Sequence, residues 1–98
     1  MAEVRHVQIA PHLYCGPIVG AANIQLAASI PNFLILEGIE DWGGFHAQIL
    51  KTPIRFEAGY VIPPDAPGLG VELDEAVAEA HPWTGDRLHL EMAPRPEI

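Results

Sequence analysis

VQIAPHLYCGP (residues 7–17), IVGAANIQLAASIPN (18–32) and FLILEG (33–38) follow one another without a break in the first half of a 98-residue chain. The first piece predicts a strand over Val7–Ala10, closed by Pro11, which has no N–H to give to a ladder. Leu13 to Gly16 reads as a loop, and Gly16 is free to take a positive φ. Pro17 suits the first helical position, where its missing N–H has no helical partner. Ile18, Ala21, Ala22, Leu26 and Ser29 then lie at helical spacing and predict a packed face rich in small residues. Pro31 ends the helix and pushes Ile30 into extended backbone. Phe33 to Leu36 is a continuous apolar run, as in strands buried on both faces of a parallel α/β sheet. Strand, helix, strand in such a sheet is a right-handed crossover, and both strands end on one rim. His12 stands just past the end of the first strand and Glu37 at the end of the second. A basic and an acidic side chain, 25 positions apart, are therefore expected to meet.

One parallel strand pair with one helix leaves two open edges and two apolar faces, and is marginal alone. The pattern therefore reads as a slice of a larger α/β barrel or sheet. Residues 1–6 carry no cap, lead straight into the first strand and look like the tail of a preceding segment. The predicted layout is residues 1–50 as two strands with their connecting helix and residues 51–98 as a C-terminal extension, together one partial domain.

Within that second part, Phe45 to Leu50 reads as a short helical turn. Thr52 to Phe56 is extended, and Glu57-Ala58-Gly59 turns it into Tyr60-Val61-Ile62, a small hairpin. Pro63, Pro64, Pro67, Gly68 and Gly70 make a rigid loop. Asp74 is placed to cap a helix over Glu75–Ala80, stopped by Pro82. Gly85, Pro94 and Pro96 predict irregular structure from Trp83 to Ile98. No internal repeat and no low-complexity segment is present.

Composition narrows the function classes. The chain is 49% apolar and carries a formal charge of -8. That balance argues against nucleic acid or an anionic membrane as partner, since both want clustered Lys and Arg. A single cysteine, Cys15, excludes an internal disulfide and fits a reducing compartment. No apolar run reaches the roughly 20 residues that span a bilayer, and the first residues lack the pattern of a signal peptide. The expected location is the cytoplasm.

Each chemical motif stands beside a plainer reading. His12-x-x-Cys15 has the spacing of a metal pair, but a zinc site takes three or four ligands and no second His/Cys pair follows. Cys15 lacks an activating partner other than His12. Gly16 to Gly20 is followed by no Lys and does not match a phosphate loop. Pro67-Gly68-Leu69-Gly70 is a turn. His6, His46, His81 and His89 are scattered, and the charges from Glu72 to Glu79 read as a solvated helix face. Trp42 either lines a pocket or simply packs.

The stretch IAPHLYCGPI to FLILEG resembles the last strands of an enolase-superfamily barrel, in the mandelate racemase and muconate-lactonizing group, and specifically its acid-sugar dehydratases of the galactonate kind. GYVIPPDAPGLGVELD (residues 59–74) resembles that family's C-terminal segment, which leaves the barrel and returns to the capping domain. The likeness covers roughly residues 1–81. It implies an α/β fold: the C-terminal strand-helix-strand portion of a (β/α)7β TIM-like barrel, plus an irregular segment that packs on the cap. It implies that His12 is the general acid/base, moving a proton next to a carboxylate, for which a near-neutral imidazole is suited. Glu37 then hydrogen-bonds the developing enediolate or the substrate carboxylate, for which it must carry a proton; Glu40 and Asp41 are competing carboxylates. Trp42 is the candidate substrate-pocket residue. The family's cofactor is Mg²⁺, but its ligands sit on earlier strands that this chain lacks. The implied partner is a small-molecule sugar acid, and the implied full-length enzyme is a homo-oligomer.

A barrel takes about 250 residues, so the leading expectation is the C-terminal fragment of a Mg²⁺-dependent acid-sugar dehydratase, a lyase inactive in this isolated form. Racemase or cycloisomerase chemistry fits the same residues. From other classes, a truncated non-enzymatic protein that needs a partner, or a small metal module using His12 and Cys15, are the rivals.

Overall fold

Backbone hydrogen bonds between the two ends of the opening stretch set the architecture. The Ile9 N–H donates to the Asn32 carbonyl (2.8 Å), the Leu34 N–H to Ile9 (2.9 Å) and the Glu37 N–H to Pro11 (3.3 Å). Ile9 and Phe33 form a parallel bridge, and the Asn32 carboxamide adds a bond to the Val7 carbonyl (2.8 Å). This computed structural model describes residues 1–38 and 42–84. The two predicted strands thus pair in the expected parallel sense, but as one bridge and not as full strands. The expected burial on both faces is corrected as well: Leu34 is 58% and Ile35 62% exposed. With one strand-like neighbour and one helix against it among the described residues, the run has nothing to cover its second face.

Helix α1, Pro17–Ser29, joins them. Gly16 precedes it in extended backbone (φ -70°), not with a positive φ, and Ile30 ends it in extended backbone, as the following Pro31 demands. Its buried face is Pro17, Gly20, Ala21 and Ile24, spaced i, i+3, i+4, i+7. This differs from the expected face: Ile18 and Leu26 are exposed, together with Val19. The cause is Gly20, against which the Trp42 ring lies so closely that a Cβ there would overlap it. Only the glycine side of the helix admits that ring.

The opening residues, expected to run straight into a strand, instead make one 3-10 turn over Glu3–Arg5, closed by His6 at φ 57°. The rest follows the expected elements. Helix α2 is a single turn, Phe45–Gln48. Strands β1 (Arg55–Glu57) and β2 (Tyr60–Ile62) pair antiparallel, Phe56 opposite Val61. Ala58 (φ 50°) and Gly59 (φ 82°) form the turn between them, both positive as a tight two-residue hairpin requires. Helix α3, Glu75–Ala80, is capped by the Asp74 carboxylate, which accepts from the Val77 N–H (3.2 Å).

Leu13, Ile24 and Trp42 form the buried cluster, with Leu36, Ile54 and Val61 packed on it. The extension is fastened to the first half by Leu50 pairing with Leu73 and by the Gln25 carboxamide, which donates to Pro64 (2.8 Å) and Leu69 (3.3 Å). No helix among the described residues is long and apolar enough to cross a membrane. The predicted irregular tail lies, from residue 85 on, outside the described residues.

Candidate active site

Pro11 is buried and its carbonyl takes the Glu37 N–H, so the residue before His12 is tied to the backbone of Glu37. The next residue is tied to the Glu37 side chain: the Leu13 N–H donates to Oε2 at 3.0 Å. That same Oε2 lies 3.7 Å from Nε2 of His12. The expectation that His12 and Glu37 meet at one rim is therefore matched by the geometry. Both side chains are open to solvent, His12 at 79% and Glu37 at 48%. At that exposure an ion pair is screened and contributes little to stability.

The carboxylate accepts one N–H and faces a ring nitrogen. The imidazole has one nitrogen engaged in that approach and the rest of its surface open. Together they offer one group that can take or give a proton and one that can hold a developing charge or hydroxyl a few ångströms away. Helix α1 supports the pair from below, since Ile24 packs with Leu13 and the Asn23 carboxamide donates to the His12 carbonyl (3.0 Å).

Trp42 is packed. It is 5% exposed, sits with Leu13 and Ile24 and meets Phe56 with ring centroids 5.6 Å apart. Among the described residues its ring packs in the core behind Leu13, which matches the plainer of the two readings, a Trp that packs. The competing carboxylates Glu40 and Asp41 lie outside the described residues. Asn23 was not legible as a site residue. The one available signal was an indifferent helix former placed mid-helix, which often has a partner for its side chain.

Among the described residues, no group of three or more His, Cys, Asp or Glu could hold a metal ion, so the residues present do not fit one. Another cation–anion contact lies elsewhere: Lys51 pairs with Glu72, and that hydrogen bond, followed by the Glu72 charge, raises the Lys51 ammonium above its ordinary range. A cleft of about 750 Å³ beside it is lined by Ile54, Arg55, Pro64, Asp65 and Val71.

A family model described as Enolase C-terminal domain-like matches residues 1–77. The D-xylonate dehydratase of Haloferax volcanii is 33% identical over 88 residues, which are 90% of this chain and 21% of that protein. Muconate cycloisomerase 1 of Rhodococcus opacus is 44% identical over 71 residues, 70% of this chain and 18% of that one. A crystal structure assigned to mandelate racemase/muconate lactonizing enzyme, from Labrenzia alexandrii DFL-11, superposes with a TM-score of 0.85 at 61% identity, over 92% of this chain and 23% of that one. The chain spans about a fifth of the length of the curated relatives it matches. The expected fold class, a closing portion of such a barrel domain, agrees with these likenesses.

Proposed function

This chain belongs to the Enolase C-terminal domain-like family, and we propose that it is the C-terminal part of an acid-sugar dehydratase. Residues 1–50 close the barrel and residues 51–98 form the extension that packs on the cap. The observation that carries the reading is the 3.7 Å approach of His12 to Glu37 at the shared end of a parallel strand pair.

In this reading His12 Nε2 takes the proton from the carbon next to the substrate carboxylate. The electron pair moves into an enediolate, and Glu37, carrying a proton, donates a hydrogen bond to it. The enediolate pair then forms the carbon–carbon double bond as the C–O bond on the neighbouring carbon breaks, and that hydroxyl leaves as water with the proton that His12 has taken. The family's chemistry relies on Mg²⁺ to hold the enediolate. The described residues do not fit that ion, so it would rest on side chains other than these. Trp42 acts behind the rim, by fixing Leu13. His12 and Glu37 are too exposed here for water to be excluded, and the 98 residues alone are expected to be inactive. Names among the relatives support dehydratase chemistry, while the likeness to a muconate cycloisomerase favours cycloisomerisation as the second reading.

The test starts with the mass of the native product in its own cell extract, by immunoblot against residues 85–98. A band several times heavier than 10.6 kDa identifies a larger enzyme, which is then assayed with Mg²⁺ on a panel of sugar acids. Loss of water, abolished by His12→Asn, supports the proposal. A product at 10.6 kDa, or isomerisation without loss of water, overturns it.

A further inference from the structure

The peptide unit between His12 and Leu13 is held at both ends. Its carbonyl accepts from the Asn23 carboxamide at 3.0 Å. Its N–H donates to Glu37 Oε2, also at 3.0 Å. The Leu13 side chain behind it is 1% exposed and packs with Ile24, the residue after Asn23. The His12 side chain is 79% exposed, and among the described residues its ion-pair approach is the 3.7 Å one to Glu37. Where the imidazole points is therefore decided by its backbone, and the backbone is decided by what grips this one peptide. Glu37 takes the N–H side and α1 the carbonyl side.

We infer that Asn23 is a positioning residue, which fixes the His12 ring against Glu37 through the carbonyl of the His12–Leu13 peptide. The inference rests on the reading of His12 as the proton-moving group. A carboxamide suits the task because its Nδ2 donates and carries no charge, so it does not compete with His12 for the carboxylate. Asparagine is an indifferent helix former in mid-helix, and leucine a good one; Asn23→Leu therefore removes the donor without weakening α1. Asn23→Asp keeps the shape and removes the donor as well.

The test is a spectroscopic cycle on the 98-residue chain, with the ring signals of His12 as readout. In the parent chain Glu37→Gln shifts those signals, because Oε2 lies within 3.7 Å of Nε2. With Asn23→Leu or Asn23→Asp in place, the shift caused by Glu37→Gln is expected to vanish. The amides of β1 and β2 should stay where they are, which reports an intact fold. Gln25→Leu removes a different polar anchor of the same helix and should leave the response whole. A His12 response of equal size with and without Asn23, or one lost equally in Gln25→Leu, overturns the assignment. The outcome separates from the activity: a longer enzyme that dehydrates no sugar acid would end the role of His12 as base, and the cycle would still report what holds the ring.

Discussion

Gly20→Ala sets two familiar effects against each other at one position. Alanine is the better helix former, by about 1 kcal/mol in a helix interior. On an open helix the change would therefore stabilise. At Gly20 the new methyl would meet three atoms of the Trp42 ring at less than van der Waals distance. That ring is 5% exposed and touches Phe56 on another side, so it has little room to retreat. Overpacking of a filled core costs about 1–3 kcal/mol. The clash involves a rigid ring and not a flexible side-chain end, which puts the cost in the upper half of that range. The net is a destabilisation of about 1–2 kcal/mol, a large share of the ~5 kcal/mol that holds a small domain together. With a urea slope near 1 kcal/mol per molar, the midpoint falls by about 1–2 M. Trp83 is 80% exposed, so the assay is best run in a Trp83→Phe background, where emission reports Trp42 alone. The expected result is a lower midpoint and a red-shifted native emission; adding Trp42→Phe, followed by circular dichroism because no tryptophan then remains, should remove the extra loss caused by the Gly20 methyl. A raised midpoint with unshifted emission would show that the ring does not occupy the glycine notch.

Ala58 holds φ 50° in the hairpin turn, a region that costs a residue with a Cβ about 1 kcal/mol. Ala58→Gly should therefore raise the melting temperature of the chain, and a fall would contradict the turn geometry. Asp74→Ala removes the acceptor for the Val77 N–H and should cost about 1 kcal/mol, read as faster amide exchange confined to α3. Glu37→Gln keeps an oxygen for the Leu13 N–H while removing the charge, so stability by urea titration should change little. In the longer enzyme, Glu37→Leu removes the proposed donor to the enediolate and should lower kcat more than KM.

Punctuation made much of this fold legible. Pro17 and Pro31 bracket α1, Asp74 and Pro82 bracket α3, and Ala58-Gly59 marks the hairpin; each is a local backbone restriction that acts whatever surrounds it. The His12–Glu37 meeting was legible too, because strand ends in a parallel crossover share a side. The rotation of α1 was not. Its sequence is apolar nearly all round, so the spacing that picked out Ile18 and Leu26 fitted other faces as well, and the choice fell to Trp42, 22 positions beyond Gly20. Leu34 and Ile35 were read as doubly buried because their composition says so, yet no surface among the described residues covers them. Asn23 escaped for the same reason as the face: its partner is a carbonyl 11 residues away, which no local pattern announces.

The Gln25 side chain has a practical consequence. It holds the carbonyls of Pro64 and Leu69 together, and Gly70, at φ 79°, folds against Pro64. The two feet of the proline-rich loop are thus stapled, and its crown at Asp65–Gly68 hangs outward. Extra residues grafted into the crown would lengthen an arc whose feet do not move, and chain closure grows only by about 0.6 kcal/mol per doubling of length. This is the place on the chain for a fluorophore or an affinity handle, and Gln25 is the residue that fixes the feet of such a graft.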